Sequence, residues 1–176
     1  TKDTYSCIKG RGIHGAMRNV KRAIKDRENA RYCLKIDIRK FYPSIDHDVL
    51  KAIIRRKIKC KDTLALLDTI IDSTDGVPIG NYLSQYFANL MLAYFDHWIK
   101  EEKRVRYYFR YADDMVFLAS TKEELHILLA DIKKYLAALK LTLKGNEQIF
   151  PIAENRADKH GRGLDFVGFV FYHNQT

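Results

Sequence analysis

The chain has 176 residues, 47% hydrophobic and 30% charged, which suits one packed domain of ordinary size and excludes a disordered polypeptide. A formal charge of +9 favours a polyanionic partner, nucleic acid first, with a general solubility role as the alternative. No signal peptide is visible and no apolar run approaches the roughly 18 residues of a membrane span, so a soluble cytoplasmic protein without a membrane partner is expected.

In chain order, residues 11–29 carry Ile13, Ala16, Met17, Val20 and Ile24 at helical spacing, with Arg and Lys opposite. Lys9, Arg11, Arg18 and Arg22 lie on or beside this helix and are candidates for nucleic-acid phosphate contacts; a solvated helix face accounts for any single one equally well. "RYCLKIDI", residues 31–38, reads as a strand. A helix over about 46–58 has Asp46 as its N-cap, and a shorter one covers about 62–73. "STDGVPIGN" is a loop by its Gly, Pro, Ser and Asp content. A long helix, about 81–103, follows, with Leu83, Phe87, Leu90, Met91, Tyr94 and Phe95 on one broad face.

Strands are expected at 105–112 and 115–120, then a helix from 122 to about 139 opened by the capping box Thr121-x-x-Glu124. A further strand lies near 147–152, and "LDFVGFVFY", 164–172, reads as one or two strands bent at Gly168. Cys7, Cys33 and Cys60 are widely spaced and odd in number, with neither metal-ligand spacing nor a disulfide framework, which suits a reducing compartment. His14 and His47 have no ligand spacing and read as structural.

Without the first helix and the last strands, the order is β-α-β-β-α-β. This is an α+β fold of the ferredoxin-like, split-βαβ kind: an antiparallel sheet backed by helices. Its first and third strands are central neighbours, which sets Asp37 beside Asp113 and Asp114 at one end of the sheet. Asp113 and Asp114 stand adjacent between two apolar stretches. A hairpin turn explains such a pair locally. Three converging carboxylates call for more, because like charges repel and hard divalent cations take oxygen ligands. In a basic chain the arrangement points to phosphoryl transfer by two Mg²⁺ ions.

"YADD" between apolar strands resembles the Tyr-x-Asp-Asp box of reverse transcriptases. The likeness continues in order through "LKIDIRKFYPSI", "GVPIGNYLSQYFAN", "LKLTLKGNEQIF" and "LDFVGFVF". These are similar to that family's first catalytic palm motif, nucleotide-pocket motif, post-helix segment and primer-grip hairpin. The resemblance implies a polymerase palm that copies an RNA template from a DNA primer with dNTPs. It implies that Asp37 and Asp113 bind two Mg²⁺ ions (Mn²⁺ as a substitute), that the Ile38 carbonyl assists one of them, and that Asp114 completes the triad. Tyr42 takes the place of the aromatic gate that excludes a ribose 2′-hydroxyl, with a core aromatic as the alternative. Ile79, Gly80, Ser84 and Gln85 line the nucleotide pocket, and Phe166, Val167, Gly168 and Phe169 form the primer grip.

Ile79 and Gln85 stand where many of these enzymes have Gln and Pro. With "CIKGRG" at 7–12, they resemble the error-prone reverse transcriptases of bacterial and phage diversity-generating retroelements, which work with an accessory protein. Retron-like and abortive-infection enzymes are the rival subfamilies. One departure concerns the family's Lys after the palm helix. Counted from Leu141, that position holds Glu147, and Lys144 is out of phase with it. Lys35 and Arg110 are expected near the sheet end, as primer or triphosphate contacts or as ion-pair partners of the aspartates. The expected organisation is a partial fingers segment (1–30), a palm (31–153) and a primer-grip hairpin (154–176), with the remaining fingers and the thumb outside the chain. A palm that binds nucleic acid without polymerising on its own is the alternative reading of this piece.

Overall fold

The computed structural model describes residues 3–78 and 82–174. Four strands form one antiparallel sheet in the order β2-β3-β1-β4: β1 (Tyr32–Asp37), β2 (Tyr107–Tyr111), β3 (Asp114–Ala119) and β4 (Gln148–Pro151). This is the split-βαβ order expected from the sequence. The register pairs Leu34 with Phe117 and Asp37 with Asp114.

Alternation along the strands divides the core in two. Even-numbered residues of β1 (Leu34, Ile36) and odd-numbered residues of β3 (Met115, Phe117) face one layer of helices. That layer comprises α2 (His47–Lys57), α3 (Lys61–Ile71), α4 (Tyr82–Met91), α5 (Ala93–His97) and α6 (Lys122–Ala138). Cys33, Val116, Leu118 and Phe109 face the other way, against α1 (Ile13–Ala23) and a hairpin of β5 (Leu164–Phe166) and β6 (Phe169–Phe171). Asp37 and Asp114 belong to this second face by register, at its open end.

Local chemistry explains the helix ends. Asp46 accepts from the Val49 N–H at the start of α2, and Thr121 accepts from the Glu124 N–H at the start of α6. The second half of the expected capping box is replaced, since the Glu124 carboxylate takes the Ser120 hydroxyl.

The single helix expected over about 81–103 is instead three pieces. α4 stops at Met91, Leu92 adopts φ −97° and ψ 1°, α5 follows, and Trp98–Glu102 form a wide turn closed by Lys103 N–H to the Trp98 carbonyl. Adjacent residues are buried in pairs here, Met91 with Leu92 and Phe95 with Asp96. A single stripe of regular helix serves such pairs poorly, and the irregular residues re-aim the chain.

The segment before α1 adds to the sheet edge: Tyr5 N–H donates to the Arg110 carbonyl, and Arg110 N–H to that of Asp3. Among the described residues, no helix is long and apolar enough to cross a membrane.

Candidate active site

The turn between β2 and β3 consists of Ala112 and Asp113, because Tyr111 and Asp114 close the ladder. Ala112 has φ 53°, the left-handed region a two-residue hairpin requires at its first position and one that costs a non-glycine residue on the order of 1–3 kcal/mol. Arg110 opposes that strain from below: its Nη1 donates to the Ala112 carbonyl at 2.9 Å and to Asn89 Oδ1 at 3.2 Å. The guanidinium is buried and paired in bidentate fashion with Asp96 of α5, at 2.7 and 2.6 Å. Thr4 and Tyr108 donate hydroxyls to the same carboxylate. Arg110 thus pairs with none of the three site aspartates, because its even position in β2 turns it to the helix face while Asp37 and Asp114 face the opposite layer. It braces the turn from behind.

Asp37, Asp113 and Asp114 line one cavity of about 320 Å³, together with Lys35, Asn146, Gln148, Arg162 and Asp165. Burial, then the nearby and hydrogen-bonded Asp37, hold the Asp113 carboxyl above its ordinary range. Asp114 is pushed up to about 6 by burial, reinforced by Asp37, Asp113 and Asp165 and opposed by Lys35. Its Oδ1 is buried without a hydrogen-bond partner among the described residues.

The counter-charges come from two lysines. Lys144 Nζ is 3.1 Å from Asp37 Oδ2, and Lys35 Nζ is 3.7 Å from Asp114 Oδ2. Among the described residues no three acidic, His or Cys side chains close on a single point as a finished metal cage. The donor set nonetheless fits hard divalent cations: all-oxygen, crowded with like charge, and containing one orphaned carboxylate oxygen. Asp37, Asp113 and Asp114 are the residues that could hold them. Ile38 is buried and bridges Leu143 through its neighbours' backbone groups (Arg39 N–H to Thr142, Lys144 N–H to Asp37), which turns its own carbonyl toward the β3 side.

Tyr42 sits in a 3₁₀ turn, Tyr42–Ser44, half-buried beside Phe41. Burial, with Asp113, Cys7 and Tyr111 close by, raises its phenol. The loop before α4 fixes this turn, with Val77 N–H donating to the Tyr42 carbonyl at 3.1 Å. Ser84 is buried, its hydroxyl without a partner among the described residues, and Gln85 is exposed and accepts from the Cys7 thiol. Ile79 and Gly80 lie outside the described residues.

Val167 (φ 49°) and Gly168 (φ 81°) make the turn of the β5–β6 hairpin, with Phe166 buried and Phe169 partly exposed. Lys9, Arg18 and Arg22 are exposed, and Arg11 is half-buried.

Sequence reasoning missed two participants. Lys144 reaches Asp37 because residues 142–144 pair with 37–39, a register that counting from Leu141 does not reveal. Glu147, at the counted position, turns instead to Lys133 of α6. Asp96 reads as one more polar residue in a helix, and no local pattern marks it as the partner of Arg110.

An antiparallel split-βαβ sheet with an acidic hairpin over an open cavity is the arrangement expected of a polymerase palm. The profile of the family described as "Reverse transcriptase (RNA-dependent DNA polymerase)" matches residues 1–146, and the chain belongs to that family. Protein YkfC of Escherichia coli (strain K12) is 24% identical over 194 residues, covering 84% of this chain and 51% of YkfC, so the chain spans about half the length of that curated relative. Apo telomerase from Candida tropicalis superposes with a TM-score of 0.66 at 15% identity, over 98% of this chain and 36% of that one. A form truncated from its C-terminal domain gives 0.69 at 16%, over 97% and 39%. At these identities the likeness is one of fold.

Proposed function

We propose that the chain is the palm, with part of the fingers, of an RNA-directed DNA polymerase that extends a DNA primer along an RNA template by nucleotidyl transfer. One observation carries this reading within the family: Asp37 and Asp114 are cross-strand partners, and Asp113 occupies the turn beside them over the same cavity. In this reading residues 1–30 belong to the fingers, 31–153 to the palm and 154–176 to the primer grip. Asp37 and Asp113 hold two Mg²⁺ or Mn²⁺ ions with help from the Ile38 carbonyl, and Asp114 completes the set. Bound there, the cations would activate the attacking 3′-hydroxyl and neutralise charge on the leaving pyrophosphate.

Tyr42, held beside Asp113, meets the sugar and excludes a 2′-hydroxyl. Ile79, Gly80, Ser84 and Gln85 line the pocket for the incoming dNTP. Phe166, Val167, Gly168 and Phe169 hold the primer end, and Lys9, Arg11, Arg18 and Arg22 attract template phosphates. The test is primer extension on a defined RNA template with Mg²⁺, in the whole protein that carries this chain and in the chain alone. Extension by the former and tight binding without extension by the latter would make this piece a binding palm within a polymerase. No extension by the whole protein would refute the reading.

The narrower assignment, an error-prone retroelement enzyme with an accessory protein, is supported by Ile79 and Gln85 at positions where many relatives carry Gln and Pro. An apolar side chain there offers packing but no hydrogen bond that a mispair would forfeit. Sequencing cDNA copied from one RNA by wild type and Ile79→Gln checks it: fewer errors in the variant, most clearly opposite adenines, support the assignment. Equal spectra favour a retron-like or abortive-infection relative.

A further inference from the structure

Lys35 lies in β1 two residues before Asp37, on the same face of the sheet, and its long ion pair with Asp114 does not account for its second, shorter contact. Its side chain crosses from the sheet to the β5–β6 hairpin. Nζ donates to the Asp165 carbonyl at 2.8 Å and stands 3.7 Å from Asp114 Oδ2. Backbone hydrogen bonds tie the base of the hairpin to the end of β4, Arg162 with Pro151 and Ala153 and His173 with Ala153, while between that base and the turn it rests on this face through apolar packing of Leu164, Phe166 and Phe171 in one cluster with Cys33 and Val116. Apolar packing is non-directional and tolerates sliding, whereas a charged donor on a carbonyl fixes a distance. Asp165 is two residues from the Val167–Gly168 turn, so the fixed distance is the one between that turn and the acidic end of β3.

We infer that Lys35 is a positioning residue, a strut that sets the β5–β6 hairpin at a fixed height above Asp114. The inference rests on the polymerase reading: if the hairpin carries the primer end, Lys35 determines how far that end stands from the carboxylates. It does not require Lys35 to touch substrate. A shift of a reacting end by a fraction of an ångström affects the rate of bond formation far more than it affects nucleotide binding.

The experiment compares wild type, Lys35→Met and Lys35→Arg in the whole protein that carries this chain. Methionine keeps the apolar stem and removes charge and donor; arginine keeps both. Hydrogen exchange, measured without divalent cations, follows residues 164–171, with the β2–β3 hairpin as the control for correct folding. Lys35→Met is expected to speed exchange of the 164–171 amides about tenfold and leave β2–β3 unchanged. In single-turnover addition its rate should fall about tenfold with the dNTP KM within about twofold of wild type, and Lys35→Arg should restore both readouts. Exchange at 164–171 within about twofold of wild type overturns the inference, even if addition slows, because Lys35 would then act on Asp114 alone. A wild type that extends no primer refutes the polymerase reading, while the exchange data still decide whether Lys35 is a strut.

Discussion

Arg110 and Asp96 form a bidentate ion pair, 2.7 and 2.6 Å, with both side chains almost wholly buried behind the turn that carries Asp113. One partner comes from β2 and the other from α5, so the pair ties the acidic β2–β3 hairpin to the helix layer. The remaining Arg110 nitrogen holds the Ala112 carbonyl, so the pair also bears on the geometry of the turn.

Removing one partner strands a buried charge. Arg110→Met or Asp96→Leu is therefore expected to lower the unfolding free energy by about 3–5 kcal/mol. The double variant Arg110→Met with Asp96→Leu should lose much less than the sum of the single variants. Urea denaturation of the four proteins checks this; additive losses would mean that the pair is not coupled.

Asp113 sits in the turn rather than in the ladder, and RNA affinity rests mainly on phosphate electrostatics. In the whole protein that carries this chain, Asp113→Asn should therefore abolish primer extension while changing RNA affinity by no more than about threefold at fixed salt. A parallel loss of binding would assign Asp113 to nucleic-acid contact or to folding.

The sheet order and the meeting of Asp37 with the Asp113–Asp114 pair were legible because both depend on local signals. Two-residue alternation, a capping threonine and a short polar break between apolar strands each act over a few residues. The Arg110–Asp96 pair was not legible, because its partners are brought together by a break at Leu92 that buried neighbours impose and propensity does not foretell. Lys144 was missed for a related reason: its position follows from pairing 107 residues away in sequence, and a count along one segment carries no such information. The basic helix expected within 11–29 is present but shorter, Ile13–Ala23, with Ala16 and Val20 inward as expected, Ala23 buried beside them and Ile13 exposed instead.

Tyr42 is held by the Val77 N–H on its carbonyl and by its packing on Phe41, and the Asp113 charge is near enough to raise its phenol. In the whole protein that carries this chain, Tyr42→Ala should raise ribonucleotide incorporation about tenfold or more, in the range expected when one steric contact is removed from a discriminating pocket. The measurement is the ratio of kcat/KM for a dNTP and its matching rNTP. An unchanged ratio would leave Tyr42 a core aromatic.

Gly76 packs directly against the Tyr42–Pro43 backbone. A Cβ at this position would lie 2.4 Å from the Tyr42 carbonyl oxygen and 2.7 Å from Pro43 backbone atoms, and its φ of 67° already disfavours side chains. His47 binds the Gly76 carbonyl at 2.7 Å, so the loop has little room to retreat. Gly76→Ala is expected to cost on the order of 1–3 kcal/mol and to loosen sugar discrimination in the same direction as Tyr42→Ala. Thermal melting and the dNTP-to-rNTP ratio measure the two effects, and full discrimination in a destabilised variant would separate the loop from the gate.

Asp114 supplies the pH-dependent case. Its folded-state value, pushed up to about 6, lies above its ordinary 3.8, so the folded protein binds more protons than the unfolded chain between these values. The sign follows: in the cation-free protein its contribution to stability declines as pH rises from about 4 to about 6, and the penalty is fully present above that window. Asp114→Asn removes the charge and should raise the unfolding free energy at pH 7 by on the order of 1–2 kcal/mol after allowance for solvent screening, while eliminating nucleotide addition. Melts of wild type and variant from pH 4 to 7.5, each with and without Mg²⁺, measure it. The gap between the two proteins should widen with pH in the cation-free series and narrow when Mg²⁺ is added, because the cation offsets the same repulsion. A gap independent of pH would show that Asp114 is neither crowded nor desolvated in solution.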